Sequence, residues 1–262
     1  MSRKAPIVWT FVITSIALFM TTLDNLVVTT ALPTMQRDLH ASISGLEWTV
    51  NAYTLTFAVL LLLGAAVGDR LGRKRVFLTG LGIFTLGSAA AAMSPSIDWL
   101  IGARALQGVG GAIVTPLTLT ILSDAVPAER RGLALGLWGG ISGLGVAIGP
   151  LVGGAVVQGL SWQWIFWLNV PIGLAVIPLG LSHLRESHGP AARLDVTGVA
   201  LVTASALGLV WGLVRANSNG WTSPEIVGSL AAGIALLVAF VAWERRAHEP
   251  MLPMRYFRNR AF

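Results

Sequence analysis

Gly68-Asp69-Arg70-Leu71-Gly72-Arg73-Lys74-Arg75 stands between two runs without a single charge, Trp48 to Val67 and Val76 to Ile97. Each run is about 20 residues, the length an α-helix needs to cross a hydrocarbon core. A short, strongly basic connection of this kind marks the cytoplasmic face of a membrane. Topology accounts for the bases but not for Asp69, which needs a reason of its own.

Composition agrees with a lipid environment. Apolar residues make up 54% of the chain and charged residues 11%, and mean hydropathy is +0.72. A soluble domain carries about a quarter charged residues. The chain has no cysteine, which removes disulfides, thiol catalysis and thiolate metal sites. Its scattered histidines suggest no metal centre. The net charge of +6 serves topology, not nucleic-acid binding.

Apolar spans are expected at Ile7–Leu32, Trp48–Val67, Val76–Ile97, Trp99–Leu122, Leu133–Leu160, Trp162–Ser182, Val196–Val214 and Ile226–Trp243. The first is too long for a cleavable signal peptide. With alternating loops, the amino-terminal side collects Arg3, Lys4, Arg70, Arg73, Lys74, Arg75, Arg130, Arg131, Arg185, Arg193, Arg245, Arg246, Arg255, Arg258 and Arg260. The other side has Arg37 and Arg215. This asymmetry puts both termini in the cytoplasm of a multi-pass cell-membrane protein. Ser44-Gly45-Leu46-Glu47 reads as a capping box opening the second helix, and Ser223-Pro224-Glu225 puts proline in the first turn of the eighth. Trp9, Trp48, Trp99, Trp162, Trp164, Trp221 and Trp243 fall near span ends, where indole rings favour the interface. Trp138, Trp167 and Trp211 lie deeper, as packing or as an aromatic wall for a flat ligand.

Two ionisable residues lie inside spans. Asp24 is about 12 Å from the outer end of the first and Arg104 about 8–9 Å from the same face of the fourth, at ~1.5 Å per residue. Charges at such depths face a bundle interior and pair with each other or with water. Thr10, Thr14, Ala17, Thr21 and Asp24 form one polar stripe; Arg104, Gln107, Gly108, Gly111 and Thr115 form another. Together they are expected to line a water-accessible path, with plain helix packing as the alternative. The fifth span holds Gly145, Gly149, Pro150, Gly153 and Gly154, which fits either close helix packing or a bending, gating helix.

Four motifs in register resemble the major facilitator superfamily, in its fourteen-helix drug–proton antiporter branch. They are Leu23 to Pro33, with Leu26 where threonine is usual; Ala65 to Lys74, with Ala65 and Val67 replacing glycine and leucine; Leu100 to Ala112; and Gly145 to Gly154. Trp164 to Gly173 and Leu194 to Gly198 are similar to the same branch. The resemblance implies an all-α integral membrane protein: a six-helix amino-terminal bundle over residues 1–185 and two further transmembrane helices over 186–245. Residues 246–262 would be a cytoplasmic run-up to a carboxy-terminal bundle absent from these residues. It also implies proton-coupled efflux of hydrophobic or cationic compounds, powered by the proton gradient without a cofactor. Asp24, Arg104 and Gln107 would serve proton coupling or substrate binding. Gly68, Asp69, Arg70, Gly72, Arg73 and Lys74 would form a gating loop latching onto the opposite half. An exporter of another compound class and a non-transporting membrane module remain alternatives. No nucleophile–base pair, phosphate-binding loop or metal-ligand spacing points to an enzyme.

Overall fold

The computed structural model describes residues 4–189 and 195–246. Among them the backbone forms α1 (Lys4–Leu39), α2 (Ile43–Leu71), α3 (Arg73–Ala92), α4 (Ile97–Ala125), α5 (Ala128–Gly159), α6 (Trp164–Trp167), α7 (Asn169–His183), α8 (Val196–Asn219) and α9 (Pro224–Glu244), with no strand. α6 and α7 make up one span, Trp164–His183. It is interrupted at Leu168, where Pro171 has no N–H for the Trp167 carbonyl. Eight helical spans are long and apolar enough to cross a membrane, and helices satisfy their own backbone groups in lipid. The expected run-up at 246–262 lies outside the described residues apart from Arg246, as do Arg3 and Arg193.

The structure corrects three expected boundaries. α1 does not stop near Leu32 but runs through Pro33 to Leu39. The basic stretch is not a loop: α2 continues to Leu71, α3 begins at Arg73, and Gly72 alone separates them at φ 106°. Asp, Arg and Lys extend a helix past the lipid as readily as they leave it, so hydropathy marks the membrane and not the helix end. The cap of α2 is Ser42, in extended conformation, whose hydroxyl accepts from Gly45 N at 3.1 Å. Ser44 is already helical and cannot be the non-helical residue that a capping box requires. Ser223 caps α9 ahead of Pro224, as its sequence suggests.

α4 is the central post, packed against α2, α3 and α1. Glycine permits two of these approaches. A Cβ on Gly108 would strike Thr56 of α2, and one on Gly110 would lie 2.5 Å from the Phe84 nitrogen of α3. Ile13, Met20, Phe77, Leu81, Phe84 and Leu117 fill the core between these helices. α5 leans on α1, and its Leu133, Leu137, Leu144 and Leu151 are exposed, a surface suited to lipid or another apolar partner. α8 and α9 form a hairpin whose α8 rests on α2. There the Arg215 guanidinium lies 5.8 Å from the Trp48 ring and 5.5 Å from the Trp211 ring.

Candidate functional site

Asp24 and Arg104 meet in the middle of the bundle. Arg104 Nη1 donates to Asp24 Oδ2 at 2.6 Å, with side-chain exposures of 0% and 1%. The same Nη1 reaches Gln107 Oε1 at 3.0 Å, and Nε donates to the Thr49 carbonyl of α2 at 3.3 Å. The Tyr53 ring lies 4.3 Å from the guanidinium carbon and the Phe166 ring 5.9 Å, within reach of a cation–π attraction. The other carboxylate oxygen, Asp24 Oδ1, accepts from Asn169 Nδ2 at 2.7 Å and Gln107 Nε2 at 3.1 Å. Both amide nitrogens also donate to Ser88 Oγ, at 3.1 Å and 2.6 Å. A charge in so dry a site is tolerable only when paired and hydrogen-bonded.

The sequence brings Asp24, Arg104 and Gln107 together correctly but misjudges their setting. They do not line a water-accessible path; the cluster is closed within the bundle. Thr10, Thr14, Ala17 and Thr21 are buried too. Thr14 and Thr21 return their hydroxyl protons to carbonyls of α1 itself, so that stripe packs against its neighbours. On α4, Gly108 and Gly111 face Thr56 and Tyr53 of α2. The matched-depth estimate also changes. Measured along the helices, Asp24 lies about 22 Å from the end of α1 and Arg104 about 10 Å from the start of α4, because α1 runs past its expected end.

The α2–α3 junction is a second polar centre. Arg73 Nε bonds Asp69 Oδ1 at 2.6 Å, and its Nη1 pairs with Asp124 at the end of α4. Asp69 sits in the last turn of α2, where the helix dipole disfavours an acid, and Arg73 offsets it directly. Glu186, from the segment after α7, accepts from Lys74 N at 2.9 Å and Arg75 N at 3.3 Å. An acid is favoured at this first turn of α3. Ser187 O accepts from Arg73 N at 2.9 Å, and Gly189 N donates to Asp69 O at 2.8 Å. Lys74 Nζ donates to the Leu181 carbonyl at 2.7 Å, and Arg70 is exposed. Gly68 abuts Leu117, and a Cβ on Gly72 would come within 2.7 Å of Glu186 Cδ. Asp69, Arg73, Lys74 and Arg75 thus find partners in α4, in α7 and in the segment after α7.

α5 is one unbroken helix through Pro150. Gly145, Gly149 and Gly153, spaced at four, face Thr22, Leu26 and Thr30 of α1. Pro150 is exposed, and a Cβ on Gly154 would meet nothing within 4 Å. Of the tryptophans expected at the interface, Trp162 is instead fully buried, edge-on to Phe166 at 6.3 Å. Trp138 and Trp211 make packing contacts, their ring N–H groups bound by Thr118 and Glu225. Sequence reasoning missed Ser88, Asn169, Asp124 and Glu186. Asn169 had a visible signal: it is the one strongly polar residue between Gln163 and Ser182.

Eight membrane-length spans, with a charge pair buried between α1 and α4, define a polytopic membrane protein. The chain belongs to the Major Facilitator Superfamily, whose model matches residues 14–244. It is 36% identical to the tetracenomycin C resistance and export protein of Streptomyces glaucescens, over 95% of this chain and 47% of that protein. It is 39% identical to the puromycin resistance protein pur8 of Streptomyces alboniger, over 94% of this chain and 49% of that protein. The methylenomycin A resistance protein of Bacillus subtilis is 37% identical, over 96% of this chain and 54% of that protein. The chain thus spans about half the length of these relatives. Among solved structures, a peptide transporter POT bound to sulfate shares the fold with a TM-score of 0.64 at 19% identity, covering 91% of this chain and 52% of that one.

Proposed function

We propose that this chain is the amino-terminal half of a proton-driven exporter of hydrophobic or cationic small molecules, working with a second bundle. Residues 1–185 form its transport bundle and 186–245 an accessory hairpin, with the basic end and both termini in the cytoplasm of the cell membrane. The observation that carries the reading is the Asp24–Arg104 pair, fully buried among neutral amides. A carboxylate beside a fixed guanidinium changes the charge of the site when it takes a proton, and so biases one bundle arrangement over another. The drug-resistance and export names of the relatives support the cargo class. The Gly68–Lys74 stretch acts as a gate and the α1–α5 glycine seam as its sliding contact. The energy source is the proton gradient, and no cofactor is needed.

The test uses the complete reading frame containing these residues, in cells loaded with a lipophilic cationic dye. Export should follow the pH gradient and collapse in Asp24→Asn and Arg104→Ala. Wild-type, gradient-dependent export by both variants would refute the reading. Three relatives named for three different antibiotics favour a second version, in which the same scaffold exports another compound class; a substrate panel separates the two. If a second bundle is needed, the 262-residue chain alone transports nothing in sealed vesicles.

A further inference from the structure

Asp24 is held at both oxygens, and by different parts of the bundle. Oδ2 takes its bond from Arg104 on α4. Oδ1 takes one from Gln107 on α4 and one from Asn169, the first residue of α7. Each amide nitrogen spends its other hydrogen on Ser88 Oγ of α3. Asp24 Oδ1, Gln107 Nε2, Ser88 Oγ and Asn169 Nδ2 therefore close a four-cornered ring, and all four side chains are at most 2% exposed.

We infer that Asn169 is the positioning residue that ties the charge of Asp24 to the sixth membrane span, an inference resting on the proton-switch reading above. An amide NH2 group only donates. It suits a carboxylate oxygen and opposes a protonated one. A proton added to Oδ1 forms one O–H bond and turns that oxygen from acceptor to donor. The new hydrogen then points at two NH2 groups. Asn169 must turn its amide to present its carbonyl or move away, and it sits where the helix is already broken at Leu168. Proton uptake on α1 thus becomes a displacement at the start of α7. Among the described residues in contact with Asp24, Arg104 of α4 is the charged one; Gln107, Ser88 and Asn169 are neutral. Tyr53 of α2 and Phe166 of α6 lie against Arg104.

The experiment follows the infrared carboxyl band of Asp24, assigned by its loss in Asp24→Asn, in the 262-residue chain reconstituted into lipid nanodiscs from about pH 4 to about pH 10. Removing a hydrogen bond to a charged form disfavours that form. In Asn169→Leu, nearly the same size, the band should therefore appear at a pH about one unit higher, the scale of one charge-assisted bond. Ser88→Ala, which alters volume least, should shift it the same way by less, and it carries the test if Asn169→Leu does not fold. An unmoved band in the folded variants, or a band that never titrates in any form of the protein, overturns the inference. A shifted band with unchanged pH dependence of export by the complete reading frame sustains the positioning role and sinks the proton-switch reading. Gradient-dependent export with an unmoved band does the opposite.

Discussion

The Asp24–Arg104 and Asp69–Arg73 pairs are equally short at 2.6 Å, yet they behave as different kinds of contact. The first is sealed, with exposures of 0% and 1%. The second has its arginine 9% and its acid 35% exposed. In the sealed site, neutral amides share the carboxylate, water and salt cannot screen it, and one geometry satisfies both carboxylate oxygens. At the α2–α3 junction the load is spread over Asp69, Asp124 and Glu186, each partly wet and individually weak. The centre therefore tolerates few arrangements, while the surface clasp is easily remade.

Arg104→Leu should show the largest effect. It leaves the Asp24 carboxylate buried without its charge partner, which costs about 3–5 kcal/mol. The loss would be read from mixed-micelle unfolding of the 262-residue chain, and raising salt should not change it. Adding Asp24→Asn should restore more than half of the stability, because an isolated buried charge is the cause. A single variant losing under about 1 kcal/mol would place the sealed pair in the same class as the junction.

Gly72→Ala comes next. Gly72 has φ 106°, and its Cβ would meet Glu186 at 2.7 Å, so an alanine is strained in backbone and side chain together. A cost of about 1–3 kcal/mol is expected. Limited proteolysis of the segment after α7 should accelerate, since Glu186 loses its seat on α3. Wild-type cleavage rates in Gly72→Ala would show that this clasp is not what holds the segment.

How much of this was legible in the sequence follows from the range of each interaction. The spans were readable because lipid imposes one local rule on about 20 successive residues. The Asp24–Arg104 pair was readable because a charge within a span is so costly that two of them must seek each other. The depth match behind it was partly fortunate, since α1 continues through Pro33. The openness of the site was misread: a stripe of threonines and glycines looks the same in sequence whether it faces water or a neighbouring helix. Gly72 as the sole break was hidden because Asp69, Arg70 and Arg73 are ordinary helix residues. Glu186 was out of reach, since it meets Lys74 across 112 positions and nothing local marks it as a cap. Asn169 stood out as a polar residue in an apolar span, but its role depends on Ser88 and Asp24 arriving from two other helices.

The smallest effects test the junction itself. Asp124→Asn leaves Arg73 still bound to Asp69, and Asp124 is 44% exposed, so the loss should stay below about 1 kcal/mol and vanish at high salt. Glu186→Gln should cost still less, a few tenths of a kcal/mol up to about 1. The glutamine oxygen can accept from Lys74 N or from Arg75 N but not both, so one acceptor is lost together with the charge at the first turn of α3 and its pairing with Arg75 at 3.7 Å. The part of the deficit that salt removes is then the charge contribution. Thermal unfolding of Glu186→Gln and Glu186→Ala at low and high salt reads that part: the difference between the two variants should persist in salt, while the deficit of the glutamine variant should shrink. A salt-insensitive deficit in Glu186→Gln would mean that the junction is as well sealed as the Asp24 site, and the contrast between the two centres would fail.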